Sequence, residues 1–233
     1  MPGFAGFDRS AYPGDVVMNW LKANSNLVWC GYYLAPAPSH GDKSWMGKRA
    51  ALAAAGWGIA PVFVGQQTIG PGSHNPSAAT GATDGNQTVS LLQSDGFAPG
   101  ACVYLDIENG PPLTDLQHAY VANWCDAVQA GGYQPGIYCS HLLAAEVHNL
   151  RPNCRIWAFK VTTNQPHPVP IPCPDPNPSG SGYAGAYAWQ LAQNCILAVP
   201  PAPNSSLGVD LNSALTQDPG APAFPAAAGA GNP

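Results

Sequence analysis

Eight short runs of apolar, β-forming residues recur along the first 212 positions, at 4–8, 27–33, 59–64, 102–108, 135–139, 155–160, 187–191 and 207–212. Most are separated by stretches with helical spacing, at 15–22, 44–55, 83–94, 113–130 and 141–150. Strands that alternate with helices bury both faces, which explains runs that are continuously apolar. Eight such units predict an α/β fold, a single (β/α)8 TIM-like barrel. Residues 163–182 and 198–206 are rich in Pro, Gly and Ser, so the later helices are expected to be replaced by loops. The barrel is expected to span residues 1–216, with 217–233 an Ala/Pro/Gly-rich tail. Thr114 is the expected N-cap of the 113–130 helix, and Gly56 the residue that ends the 44–55 helix.

One run differs from the others. Cys102-Val103-Tyr104-Leu105-Asp106-Ile107-Glu108 ends in two acids separated by one apolar residue. Along a strand, positions i and i+2 face the same side, with Cα atoms roughly 6–7 Å apart. Packing gives no reason for two same-side acids at the end of a buried strand, and their repulsion raises a pKa. The chain has two glutamates in all, and Glu108 is one of them. The bland alternative is that both acids cap the loop that follows. In a barrel, residues at strand C-terminal ends meet at one mouth. The other strands bring Asp8, Gln190 and Asp210 there. Asp8 and Asp210 are expected side by side, because the first and last strands of a closed barrel are neighbours. Tyr32, Tyr138, Trp157 and Trp189 are the expected aromatic walls, suited to the C–H faces of sugar rings.

Composition narrows the function further. The net charge is −5 with eight Lys plus Arg, against a nucleic-acid footprint, which needs a basic face. No apolar run is long enough for a transmembrane helix. Met1-Pro2-Gly3 opens neither a basic nor an apolar leader region, so the chain is either cytoplasmic or stripped of a leader. Sparse Lys and seven Trp favour export. The seven cysteines have no zinc-type spacing, and a Cys173–Cys195 bridge is the pairing expected of an exported form. No G-x-G-x-x-G follows a strand and no Gly-x-Ser-x-Gly elbow is present, so no cofactor, no metal and no serine nucleophile is expected.

Gly6-Phe7-Asp8-Arg9-Ser10, Tyr104-Leu105-Asp106-Ile107-Glu108, Gly136-Ile137-Tyr138-Cys139-Ser140, Trp189-Gln190 and Gly208-Val209-Asp210-Leu211-Asn212 together resemble the glycoside hydrolase family 25 lysozymes. The resemblance is closest to their relatives, the bacterial Rv2525c-like (DUF1906) glycoside-hydrolase-like domains, and spans about residues 4–215. It implies cleavage of the β-1,4 bond of peptidoglycan or a related N-acetylated polysaccharide by a monomer, secreted or cell-wall-associated. Glu108 would then be the general acid, and Asp106 would orient the substrate's acetamido group. Asp8, Asp210, Tyr138, Gln190, Trp157, Trp189 and Tyr32 would bind sugar. Arg9 departs from the lysozyme pattern and is placed to pair with Asp8. The other reading of the same fold is a non-catalytic carbohydrate-binding or cell-wall-associated module.

Overall fold

A computed structural model of the chain describes residues 1–68, 70–161, 165–199 and 206–222. Its elements, in order, are β1 (Phe4–Asp8), α1 (Asp15–Asn24), β2 (Trp29–Tyr33), α2 (Arg49–Ala54), β3 (Gly58–Val64), α3 (Ala78–Ser94), β4 (Cys102–Ile107), α4 (Asp115–Ala130), β5 (Gln134–Ser140), α5 (Ala144–Leu150), β6 (Arg155–Phe159), the two-residue β7 (His167–Pro168), β8 (Ala188–Ala198) and β9 (Ser206–Ala214). Strands β1 to β6 pair in sequence, β6 pairs β8, β8 pairs β9, and β9 returns to β1. Eight strands therefore close a barrel, with β7 added outside on β8.

Seven of the ring strands run parallel, and β9 is antiparallel to both β8 and β1. A parallel continuation needs a crossover of about a dozen residues or more. The segment 199–205 between β8 and β9 is too short for one, so the pair forms a hairpin. Among the described residues between β6 and β8, a 3-10 turn, Pro178–Ser181, stands where a helix would complete the regular pattern.

Thr114 caps α4 as expected, reciprocally with Gln117. Helix α3 starts five residues before the expected position, because Ser77 and Thr80 form the same kind of box. Two further helices start later than expected, α2 at Arg49 and α5 at Ala144.

Strand parity divides the interior in two. Phe7, Cys30, Phe63, Leu105 and Ile137 face outward and pack under the helices with Leu21, Leu92, Trp124 and Val147. The barrel lumen holds Trp29, Val62, Tyr104, Tyr138 and Trp157. Trp157 is the hub, edge-on to Trp29, Tyr104 and Tyr138 at 5.2–5.4 Å between centroids. A Cβ at Gly6 would lie 2.2 Å from the Trp29 ring, so this plug needs a glycine there. A polar mouth is built above the plug.

Under it, the start of the expected tail is ordered against the barrel. Gly220 O accepts from Cys102 N at 2.8 Å, and Asp218 Oδ1 from Ile59 N at 3.0 Å. Arg155 donates to the carbonyls of Pro219 and Ala221, both at 2.8 Å. The rest of the expected tail, 223–233, lies outside the described residues. The expected Cys173–Cys195 bridge is not formed: all seven cysteines are buried thiols, and the Cys195 thiol is turned to His167.

Candidate active site

Asp8, Asp106, Glu108 and Asp210 come together in one cavity of about 50 Å³, lined also by Tyr33, Val62, Tyr138, Trp157 and Gln193. Asp106 is on the last lumen-facing position of β4, Ile107 is buried on the other side, and Glu108 stands just past the strand end on the rim. Asp8 ends β1 and is directly opposite Asp210 in the β1–β9 register. Asp210 is mid-strand rather than at a strand end, because β9 runs the other way. Gly31 makes room for Asp8, since a Cβ there would meet the Asp8 Cβ at 2.7 Å.

Two of the four acids are fully engaged. Asp8 accepts from the Tyr33 hydroxyl at 2.7 Å and from Asn212 Nδ2 at 2.8 Å. The Asn212 amide is oriented in turn by Trp157 Nε1, which donates to its Oδ1 at 2.9 Å. Asp210 accepts from Gln190 Nε2 at 3.0 Å and from the Asn194 N–H at 2.8 Å. Asn194 has φ 54°, a left-handed conformation that asparagine tolerates. Tyr138 donates its hydroxyl to Gln190 Oε1 behind Asp210.

Asp106 and Glu108 are held differently. Gln67 grips the backbone around them, its Nε2 donating to Asp106 O at 3.0 Å and its Oε1 accepting from Glu108 N at 3.3 Å. Asn109 Nδ2 donates to Thr68 Oγ1 at 2.6 Å, so the loop after β3 braces the end of β4. Asp106 is 7% exposed, and its Oδ1 is buried without a hydrogen-bond partner. Buried acceptors are normally paired, so an orphan facing a cavity calls for a ligand or solvent donor.

The electrostatics follow from burial. Burial first, then the charges of Glu108 and Asp8, push the Asp106 carboxyl well above the ordinary carboxylate range. Asp8 is raised to about 7 by burial and by Asp210, against the pull of its bonds to Asn212 and Tyr33. Asp210 is raised by burial and by Glu108, opposed by its bonds from Asn194 and Gln190. Glu108 is exposed at the rim, and the shielding it retains still raises its pKa. Carboxyls pushed up together at the mouth of a barrel keep their protons to higher pH than ordinary acids and are placed to hand them on.

The structure separates the expected aromatic walls. Tyr138 and Trp157 line the cavity, and Gln190 supports Asp210 from behind. Tyr32 does not reach the mouth: it points outward between Trp45 and Phe97, with its hydroxyl on Asp95. Trp189 also points outward, its indole N–H donating to Lys160 O at 3.0 Å. In both cases the lumen belongs to the neighbouring residue, Tyr33 or Gln190, because side chains alternate across a strand. Gln67, Asn212 and Gln193 complete the site. Gln193 lies within the irregular part of β8, where register shifts between Gln190 and Cys195 interrupt the alternation.

A second depression, of about 330 Å³, shares Asp8, Tyr33 and Asp210 with the cavity and runs along the β8–β9 hairpin past Arg9 and Ile196. Arg9 is not paired with Asp8. Its Nε and Nη1 donate to the carbonyls of Ala11 at 3.1 Å and Gly208 at 2.9 Å.

A family model described as the Rv2525c-like, glycoside hydrolase-like domain matches residues 19–190. Among solved structures, the Mycobacterium tuberculosis Tat-secreted protein Rv2525c is 16% identical, with a TM-score of 0.61 over 94% of this chain and 98% of that one. The bacterial lysozyme from Streptomyces coelicolor is 15% identical, with a TM-score of 0.58 over 91% and 92%. The Clostridium perfringens spore cortex lytic enzyme SleM is 15% identical, with a TM-score of 0.59 over 91% of this chain and 67% of that one. At these identities the likeness is one of fold. No curated protein matches the sequence.

Proposed function

The chain belongs to the Rv2525c-like, glycoside hydrolase-like family, and from that premise we propose that it is a retaining, substrate-assisted glycosidase of peptidoglycan or a related N-acetylated polysaccharide. The observation that carries the reading is the orphan Asp106 Oδ1, buried in a cavity beside Glu108. An acetamido N–H is a neutral donor of the right kind for that oxygen. Bonded there, the acetamido group is turned so that its carbonyl oxygen attacks the anomeric carbon. Glu108, with its pKa raised, gives its proton to the departing glycosidic oxygen as that bond breaks. The resulting carboxylate then takes a proton from the water that opens the cyclic intermediate, and the starting anomeric configuration is restored. Asp8 and Asp210, locked by their own hydrogen bonds, shape the sugar-binding wall with Tyr138 and Trp157.

Fold neighbours that are a bacterial lysozyme and a spore cortex lytic enzyme support a cell-wall substrate. A Tat-secreted neighbour supports a site of action outside the cytoplasm. The test is incubation with purified peptidoglycan and with chitooligosaccharides, followed by mass analysis of the products. Wild type should release new reducing ends, and Glu108→Gln should lose about 10²–10⁴-fold in rate with its fold intact. Wild-type turnover by that variant would remove Glu108 from the acid role. Saccharide binding without any product would leave a non-catalytic carbohydrate-binding module.

A further inference from the structure

The groove beside the acid cavity contains one cation among its described lining residues, Arg9. Two backbone carbonyls fix its guanidinium through Nε and Nη1. A guanidinium has five N–H donors in a planar fork, so most of this one is uncommitted. No carboxylate forms an ion pair with Arg9 among the described residues. Asp8 and Asp210, which share the groove, already have both oxygens engaged by Tyr33, Asn212, Gln190 and Asn194. An oriented, unneutralised fork therefore stands on a wall whose apolar part comes from Ile196, Val209 and Pro166.

We propose that this groove is a second sugar subsite in which Arg9 binds a carboxylate carried by the sugar. The inference rests on the glycan reading above and extends it to the substituent that the enzyme selects. A volume of about 330 Å³ lies at the low end of small-ligand pockets and suits one ring. The apolar wall meets the C–H face of that ring while the fork takes its acid group, the pairing at which Arg is strongest. Burial keeps Asp8 largely protonated below about pH 7, which lowers the repulsion an anionic sugar meets there.

The carboxylate has two natural sources, an ether-linked lactyl group on an amino sugar or the acid of a uronic sugar. N-acetylmuramic acid and glucuronic acid, each against its methyl ester, serve as probes in NMR titrations of the full chain at pH 6. Wild type should bind one acid about tenfold more tightly than its ester, and that acid identifies the source. Arg9→Gln should bind acid and ester alike, and Arg9→Lys should recover part of the preference. Equal affinity of wild type for acid and ester of both sugars, or binding of none of the four probes, overturns the proposal. So does a preference that survives in Arg9→Gln. If Arg9→Gln fails to fold, the wild-type comparison decides alone. Cleavage of peptidoglycan without an acid preference sinks this inference and leaves the glycosidase standing. An acid preference without cleavage does the reverse.

Discussion

Replacing Asp8 by Asn should change how stability depends on pH, and the size of the change follows from the site. Asp8 is 6% exposed, and its carboxyl is raised from the ordinary 3.8 to about 7. The folded state thus binds this proton more tightly than the unfolded chain does. Stability linked to Asp8 is therefore greatest below about pH 4, falls as pH rises through the window from 4 to 7, and levels off above it. Three pH units at about 1.4 kcal/mol each amount to roughly 4 kcal/mol, a large share of an ordinary domain's 5–15 kcal/mol. Asparagine fills the same space without titrating. It keeps one acceptor but turns an N–H toward Tyr33 or Asn212, at a loss of about 1 kcal/mol. Wild type has already lost about 1 kcal/mol of this stability by pH 4.5, so urea titrations at pH 4.5, 5.5, 6.5 and 7.5 should place the variant about level with wild type at the acidic end. At the neutral end it should lie about 3 kcal/mol above. Profiles that stay parallel across the window would refute the idea that a buried, proton-holding Asp8 sits in the mouth.

Asp106→Asn should lower kcat on peptidoglycan by about 10²-fold or more while stabilising the fold at neutral pH, because the amide, unlike an acid that is ionised in the unfolded chain, need neither take up a proton nor bury a charge on folding. Parallel kinetic and thermal measurements on one preparation separate the two effects. The activity limb set by Glu108 should fall as pH rises past a midpoint above 4.5, read from kcat/KM against pH. Tyr33→Phe should reduce activity, whereas Tyr32→Phe should reduce melting temperature by a few degrees without changing KM, since only Tyr33 lines the cavity. Arg155→Met should lose about 2–3 kcal/mol in chemical denaturation, because the Pro219 and Ala221 carbonyls lose a charged donor.

The eight ring strands were legible because most are largely apolar runs with Gly or Pro close by, although β8 runs on to Ala198 and β7 falls in a stretch expected to be loop, and the acids were legible because two of them break the pattern of a buried strand at 106 and 108. The Thr114 cap carries its own signal. The direction of β9 does not: a strand's composition is the same read either way, and only the shortness of 199–205 hints at a hairpin. Tyr32 and Trp189 were placed in the mouth although the lumen belongs to Tyr33 and Gln190. Adjacent large or polar residues on one strand leave its phase ambiguous, and one step exchanges the faces. Gln193 was hidden by irregular pairing within β8. The strap at 217–222 was read as tail because most of its bonds to the barrel run through backbone carbonyls, which no side-chain pattern reveals.

Strand β9 has a consequence for how the protein is made. Its neighbour β1 is synthesised first, yet Ser206–Ala214 follow about 200 residues later. At a translation speed of about 5–20 residues per second, the free side of β1 waits roughly 10–40 s for its mate. During that time the nascent chain presents an open row of amides and carbonyls to any other extended peptide nearby. Ribosome-bound intermediates of this protein are thus the stage at which a holding chaperone matters most.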